Sequence, residues 1–166
     1  VTFMHEMAFP WMGDVLTIQA VGARAREYIR RSIRRCQPPV VILAHSLGGI
    51  ASVEMLVEEP LPEVALLVTV GSPAPLMYEM NTLTQLPRGT PLPAHFPRWL
   101  NLWDPHDFFS FLAQPVFRDP PRPVEDVAVP SGVPFPEAHS AYWANPAVWR
   151  EIVQRLPDGT AGMSDG

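Results

Sequence analysis

Apolar residues recur along the chain with changing periods, and each change marks an element. From Thr17 to Arg35, Ile18, Val21, Ala25, Ile29 and Ile33 recur at helical steps, which predicts a helix with one apolar face and with Arg24, Arg31 and Arg35 largely off it. Pro38 and Pro39 end that helix and lead into Val40 to Ala44, a continuous apolar run of the kind found in strands covered on both faces. Leu47 to Glu58 returns to helical spacing, with Ile50, Val53, Leu56 and Val57 directed inward. Val64 to Val70 predicts a second buried strand, ended by Gly71, Ser72 and Pro73. Trp99 to Trp103 predicts a third strand and Val124 to Val129 a short fourth. Asn145 to Leu156 predicts a terminal helix. Pro146 suits its first turn, and Val148, Trp149, Ile152, Val153 and Leu156 are available to pack. Val1 to Gly13 has no clear period, but its Met, Phe and Trp residues are expected to pack on something. From Pro157 the chain is polar and glycine-rich and is expected to fray.

Strands alternating with helices predict an α/β fold: a three-layer α/β/α sandwich around a mostly parallel sheet joined by crossover helices. A chain of 166 residues, 47% of them apolar, supports one domain with a real core, here expected over residues 1–156 with a flexible tail at 157–166. Prolines, 21 in all, concentrate after residue 86, so the second half is expected to contain long irregular connections.

Charge and composition narrow the functional classes. The net charge of −5 argues against general nucleic-acid affinity. All 12 basic residues are arginine, and the cluster on the first helix reads as a solvated back rather than an anion patch. Cys36 is alone, which leaves no internal disulfide and no zinc cluster. His5 and Glu6 begin like a zinc-protease motif, but Ala8 and Phe9 stand where its second histidine would be needed. Gly48 and Gly49 lack the dinucleotide-binding pattern. No cofactor or metal is therefore expected. No run approaches the ~20 apolar residues that span a membrane, and no signal peptide is recognisable, so a cytoplasmic protein is expected. The chain begins at Val1 rather than Met, as a piece trimmed from a longer parent would.

The chemistry-bearing residues fall at the ends of the predicted strands. Ser46 lies in Ala44-His45-Ser46-Leu47-Gly48-Gly49, between the first strand and the helix that follows. A serine at a helix amino terminus meets free backbone amides and a dipole that favours developing negative charge. Asp104 and Asp107 follow the third strand in Asn101-Leu102-Trp103-Asp104-Pro105-His106-Asp107. His139 lies late, in Ala138-His139-Ser140-Ala141-Tyr142-Trp143. A serine hydroxyl needs a base, and a histidine base needs an orienting carboxylate. His45 is adjacent to Ser46 in sequence, so its side chain is expected to point away from that of Ser46, in a structural or pocket-wall role rather than as the base.

These segments, with Leu66 to Pro73, resemble the α/β-hydrolase superfamily, near the serine lipases and esterases, over about Pro39 to Leu156. The first resembles the family's Gly-x-Ser-x-Gly nucleophile elbow, with Ala44 at the first glycine and Gly48 where the helix packs closely on the strand. The family's order of nucleophile, acid and histidine implies Ser46 and His139 as nucleophile and base. The lipase arrangement of an Asn and a first Asp ahead of the acid favours Asp107 and gives Asp104 a loop-bracing role; Asp104 itself, Asp119 and Asp126 are the other candidates. The backbone N–H of Leu47 would be one oxyanion donor, and Tyr142 and Trp143 would anchor the histidine loop. Nothing ahead of the elbow matches the family's oxyanion loop. A complete sheet of this family also needs more strands before Val40, so its amino-terminal part is expected to be missing or supplied by a partner.

The resemblance implies a serine hydrolase that cleaves a small-molecule carboxylic ester through an acyl-enzyme. The stretch Ala74 to Arg98, with Leu76, Met77, Tyr78, Met80, Leu83 and Leu86, is expected to form a lid or pocket wall, or alternatively to cover the sheet as core. Phe108, Phe109 and Phe111 are placed to cover the site entrance. An apolar acyl or alkyl group suits these residues better than a peptide or phosphate. The alternative is a non-catalytic, hydrolase-like regulatory or interaction domain.

Overall fold

A computed structural model describes residues 22–157. The aperiodic stretch 1–13, the expected first turn of the leading helix at 17–21 and the tail from 158 onward lie outside the described residues.

The elements run α1 (residues 22–33), β1 (Val40–His45), α2 (Leu47–Glu58), β2 (Val64–Val70), α3 (Ala74–Glu79), β3 (Arg98–Trp103), β4 (Val124–Ala128), α4 (Ala138–Ala141), a 3₁₀ turn (Tyr142–Ala144) and α5 (Pro146–Val153). The strands form one all-parallel sheet in the order β1-β2-β3-β4. Because every strand runs the same way, the segments that follow β1, β2, β3 and β4 gather at one edge of the sheet, where α/β proteins place their sites.

Two cores flank the sheet. On one face Ile33 of α1 and Ile50, Val53 and Leu56 of α2 pack with Leu67 and Trp99. On the other, Leu66, Val68, Val70, Leu100 and Leu102 meet Tyr142, Val148 and Ile152. The alternation along β2 and β3 sends successive side chains to opposite faces, and the result is the expected α/β/α layering. β2 lies between two strands and is almost wholly buried. β1 differs from the expectation of a strand covered on both faces. It is an edge among the described residues, with Val41 and Ile42 half-buried and Leu43 39% exposed.

The terminal helix starts one residue later than its sequence pattern, because Asn145 is its cap: the Asn145 side chain accepts from Ala147 N–H at 3.0 Å and donates to the Val129 carbonyl at 3.1 Å. Only Val148 and Ile152, four residues apart, are buried; Trp149 and Val153 sit on the next stripe and face solvent. The Ala74–Arg98 stretch is mostly core cover. Met77, Tyr78, Leu83 and Leu86 are buried in it, whereas Met80 is exposed. Pro75 and Leu76 line a shallow cleft of about 350 Å³ with Trp103, Phe111 and Leu112. α1 is tied to α2 by ion pairs, including a buried Arg26–Glu54 pair at 3.0 Å whose carboxylate also accepts from Thr84 Oγ1 at 2.8 Å. Among the described residues no helix is long and apolar enough to cross a membrane.

Candidate active site

Ser46 stands between β1 and α2 at φ 54°, ψ −124°, a conformation that L-residues rarely adopt. Ordered neighbours hold it there. Its N–H continues the sheet ladder by donating to Val70 O at 3.0 Å, and its carbonyl accepts from Gly49 N–H at 3.0 Å. The close approach that this turn demands falls at Gly49 rather than Gly48. A Cβ on Gly49 would lie 2.8 Å from the Cβ of Ser72 and closer still to its hydroxyl, whereas one on Gly48 would meet Ala44 Cβ at an ordinary 3.9 Å. Leu47 is the first residue of α2, so its N–H is one of those that the helix cannot satisfy internally.

The chain brings together Ser46, His139 and Asp107, from segments far apart in sequence. His139 Nε2 lies 2.9 Å from Ser46 Oγ, and its Nδ1 lies 3.0 and 2.9 Å from the two oxygens of Asp107. A carboxylate accepts only, so Nδ1 carries the proton and donates to Asp107. That tautomer leaves Nε2 free to accept the Ser46 hydroxyl. Asp107 is 4% exposed. Its oxygens also accept from Phe109 N–H at 3.0 Å and from the Tyr142 hydroxyl at 2.8 Å. Burial, and then the Asp107 carboxylate beside it, push the Tyr142 phenol well above its ordinary range, so it stays a neutral donor.

Asp104 does not face His139 in this network. Its Oδ1 accepts from His106 N–H at 2.8 Å, closing a turn over Pro105, and its Oδ2 accepts from Ser131 N–H at 2.7 Å, joining the loop after β3 to the loop after β4. Burial acts to raise its pKa, but hydrogen bonds from Ser131 and His106 outweigh it and hold the carboxyl below its ordinary value. Asp126 braces the same loop from β4, accepting from Asn101 Nδ2 at 2.7 Å, Ala113 N–H at 2.9 Å and Gln114 N–H at 2.8 Å. Asn101 continues a buried polar chain through Thr69 to the Trp99 indole, each step 2.7 Å.

Two contributors were not visible as such in the sequence. Gly71, at φ 56°, lets β2 end directly beneath the carboxylate: a Cβ there would lie 2.8 Å both from Asp107 Oδ2 and from the Tyr142 ring. His45 turns toward His139, and its Nε2 lies 2.7 Å from the His139 carbonyl oxygen. Its ring centre is 4.7 Å from that of His139 and 5.5 Å from that of Trp143. Phe109 stands against His139, whereas Phe111 lines the cleft beside α3. Among the described residues no group of three or more His, Cys, Asp or Glu side chains is placed to hold a metal ion.

This sheet edge, with a serine in a strained turn after one strand and a histidine–carboxylate pair delivered by two later loops, defines an α/β-hydrolase. The model of the alpha/beta hydrolase family matches residues 7–161, and the chain belongs to that family. Membership supports a hydrolase in general. No curated protein and no solved structure matches the chain.

Proposed function

We propose that the protein is a serine hydrolase that cleaves a carboxylic ester through an acyl-enzyme. The observation that carries this reading is the continuous hydrogen-bonded line from Ser46 Oγ through both ring nitrogens of His139 to Asp107. In this mechanism His139 Nε2 takes the Ser46 proton as Oγ attacks the carbonyl carbon. Asp107 fixes the tautomer and stabilises the imidazolium. The N–H of Leu47 is one oxyanion donor; loss of a single such donor costs about 3 kcal/mol of transition-state stabilisation. The half-buried, apolar surroundings of the site favour a small apolar ester as substrate. β1 is an edge among the described residues, and a further strand, from a partner or another segment, would pair there.

The test is pre-steady-state hydrolysis of p-nitrophenyl butyrate. The expected result is a burst of nitrophenolate equal to the enzyme concentration, lost in Ser46→Ala and slowed by about 10⁴-fold in His139→Ala. Hydrolysis of equal rate in the wild type and Ser46→Ala would contradict it.

A further inference from the structure

Three phenylalanine rings form a cluster that reaches His139 through Phe109. Phe108 and Phe109 directly follow Asp107, and Phe135 comes four positions before His139, so the loops that carry the carboxylate and the imidazole also carry the rings. The Phe109 ring centre is 5.2 Å from that of His139, at 81°. Phe109 meets Phe135 at 5.2 Å and 87°, and Phe108 meets Phe109 at 5.9 Å and Phe135 at 6.2 Å. These are edge-to-face contacts, the arrangement aromatic pairs prefer. Packing accounts for Phe109, which is half-buried. It does not account for Phe108, which is 71% exposed despite touching both other rings. The cluster is therefore an open apolar wall continuous with the imidazole.

Ester cleavage decides which part of a substrate meets that wall. In acylation a bond forms from Ser46 Oγ to the carbonyl carbon, and the hydroxyl proton moves to His139 Nε2. The bond from that carbon to the alcohol oxygen then breaks, and the proton passes from Nε2 to the departing oxygen. The leaving oxygen must come within hydrogen-bond reach of Nε2, while the acyl carbon stays on Ser46. The group carried by the leaving oxygen thus starts beside the imidazole, against which the Phe109 ring packs. We propose that Phe108, Phe109 and Phe135 form the subsite for the alcohol portion of the ester, and that this portion is a neutral alkyl or cycloalkyl group. This proposal rests on the serine-hydrolase reading above.

Isomeric esters test it, because they match in overall hydrophobicity and in leaving-group basicity. The comparison is kcat/KM for ethyl, butyl and hexyl acetate against ethyl acetate, butanoate and hexanoate. The expected result is a rise of about threefold for each methylene added on the alcohol side, with hexyl acetate well ahead of ethyl hexanoate. In Phe108→Ala the hexyl-to-ethyl acetate ratio should fall by about tenfold, and in Phe108→Leu it should largely recover; a ratio cancels any general loss of activity. Phe135→Ala should lower the same ratio. A flat alcohol series with a rising acyl series, or an unchanged ratio in both alanine variants, would overturn the subsite. Covalent labelling of Ser46 by a fluorophosphonate separates the two failures. Labelling with a flat alcohol series removes only the subsite, and absence of labelling removes the hydrolase reading together with it.

Discussion

The imidazole of His45 donates from Nε2 to the backbone carbonyl oxygen of His139 at 2.7 Å, tying the residue before Ser46 to the residue whose ring faces it. One bond thus spans the two segments whose side chains must meet at 2.9 Å. A net hydrogen bond contributes about 1 kcal/mol, and here it acts on alignment. His45→Ala is expected to lower kcat by about tenfold with little change in KM, and His45→Gln, which keeps a donor, to recover part of that loss. Steady-state kinetics on p-nitrophenyl butyrate check this, and equal losses in the two variants would rule out the bond as the cause.

His45 is also expected to make the fold sensitive to acid. Burial lowers its pKa from 6.5. The bond to His139 works against that shift, and the charge of His139 adds to it, while Asp107 acts to raise the value. The neutral form is therefore favoured in the folded chain. The unfolded chain binds the proton first, so stability is fully present above pH 6.5 and is lost as pH falls through the folded value. Melting temperatures at pH 7.5 and 5.5 should show a larger drop in the wild type than in His45→Gln. His139, Asp107 and Tyr142 face the ring in both proteins, so the difference reports His45.

Neighbouring glycines should respond oppositely. Gly48→Ala adds a methyl group at ordinary contact distance inside α2 and is expected to be neutral or to stabilise by up to about 1 kcal/mol, the helix-propensity difference. Gly49→Ala drives a Cβ into Ser72, and Gly71→Ala drives one into Asp107 and Tyr142 at a positive φ. Each should cost about 2 kcal/mol or more. Urea unfolding of the three variants checks the order.

In the proposed mechanism Asp107 orients the imidazole and Asp104 braces a loop, so their substitutions should separate. Asp107→Asn should lower kcat by about 10⁴-fold, because the imidazole loses its orienting acceptor. Asp104→Asn should cost activity far less and stability more. Its carboxyl is held below 3.8 in the fold, so the stability it contributes is present above pH 3.8 and lost as pH falls through the folded value. Acid unfolding curves of the wild type and Asp104→Asn should converge as pH drops through that range.

Tyr142→Phe removes a donor to Asp107 and leaves the buried Asp104 N–H, 3.1 Å from the hydroxyl, without its acceptor. The expected cost is about 1–3 kcal/mol of stability, together with a lower kcat. Thermal unfolding and kinetics on the same sample measure both.

Much of this site was legible because its residues occur where periodicity changes. Val40 to Ala44 followed by Leu47 to Glu58 places Ser46 at a strand-to-helix turn, and the α/β layering follows from the same alternation. The acid was harder, since Asp104 and Asp107 differ only in which way a proline-containing turn aims them. Their partners lie more than 20 residues away: Ser131 donates to Asp104 and Tyr142 to Asp107. Gly71 and His45 act through contacts across the sheet edge that no local pattern encodes. Val153 is exposed and Trp149 packs on Trp143 rather than in the core, because a short helix rich in apolar residues has more of them than its buried stripe can hold.

Covalent labelling followed by peptide mass mapping tests the central claim most directly. Folded wild type, Ser46→Ala and His139→Ala are each incubated with a fluorophosphonate. Activation of Ser46 by His139 predicts one phosphonyl group per wild-type chain, carried on the peptide containing Ser46, with none on Ser46→Ala and strongly slowed labelling of His139→Ala. A folded wild type that stays unlabelled, or that labels as fast without His139 as with it, would contradict an activated serine at this site.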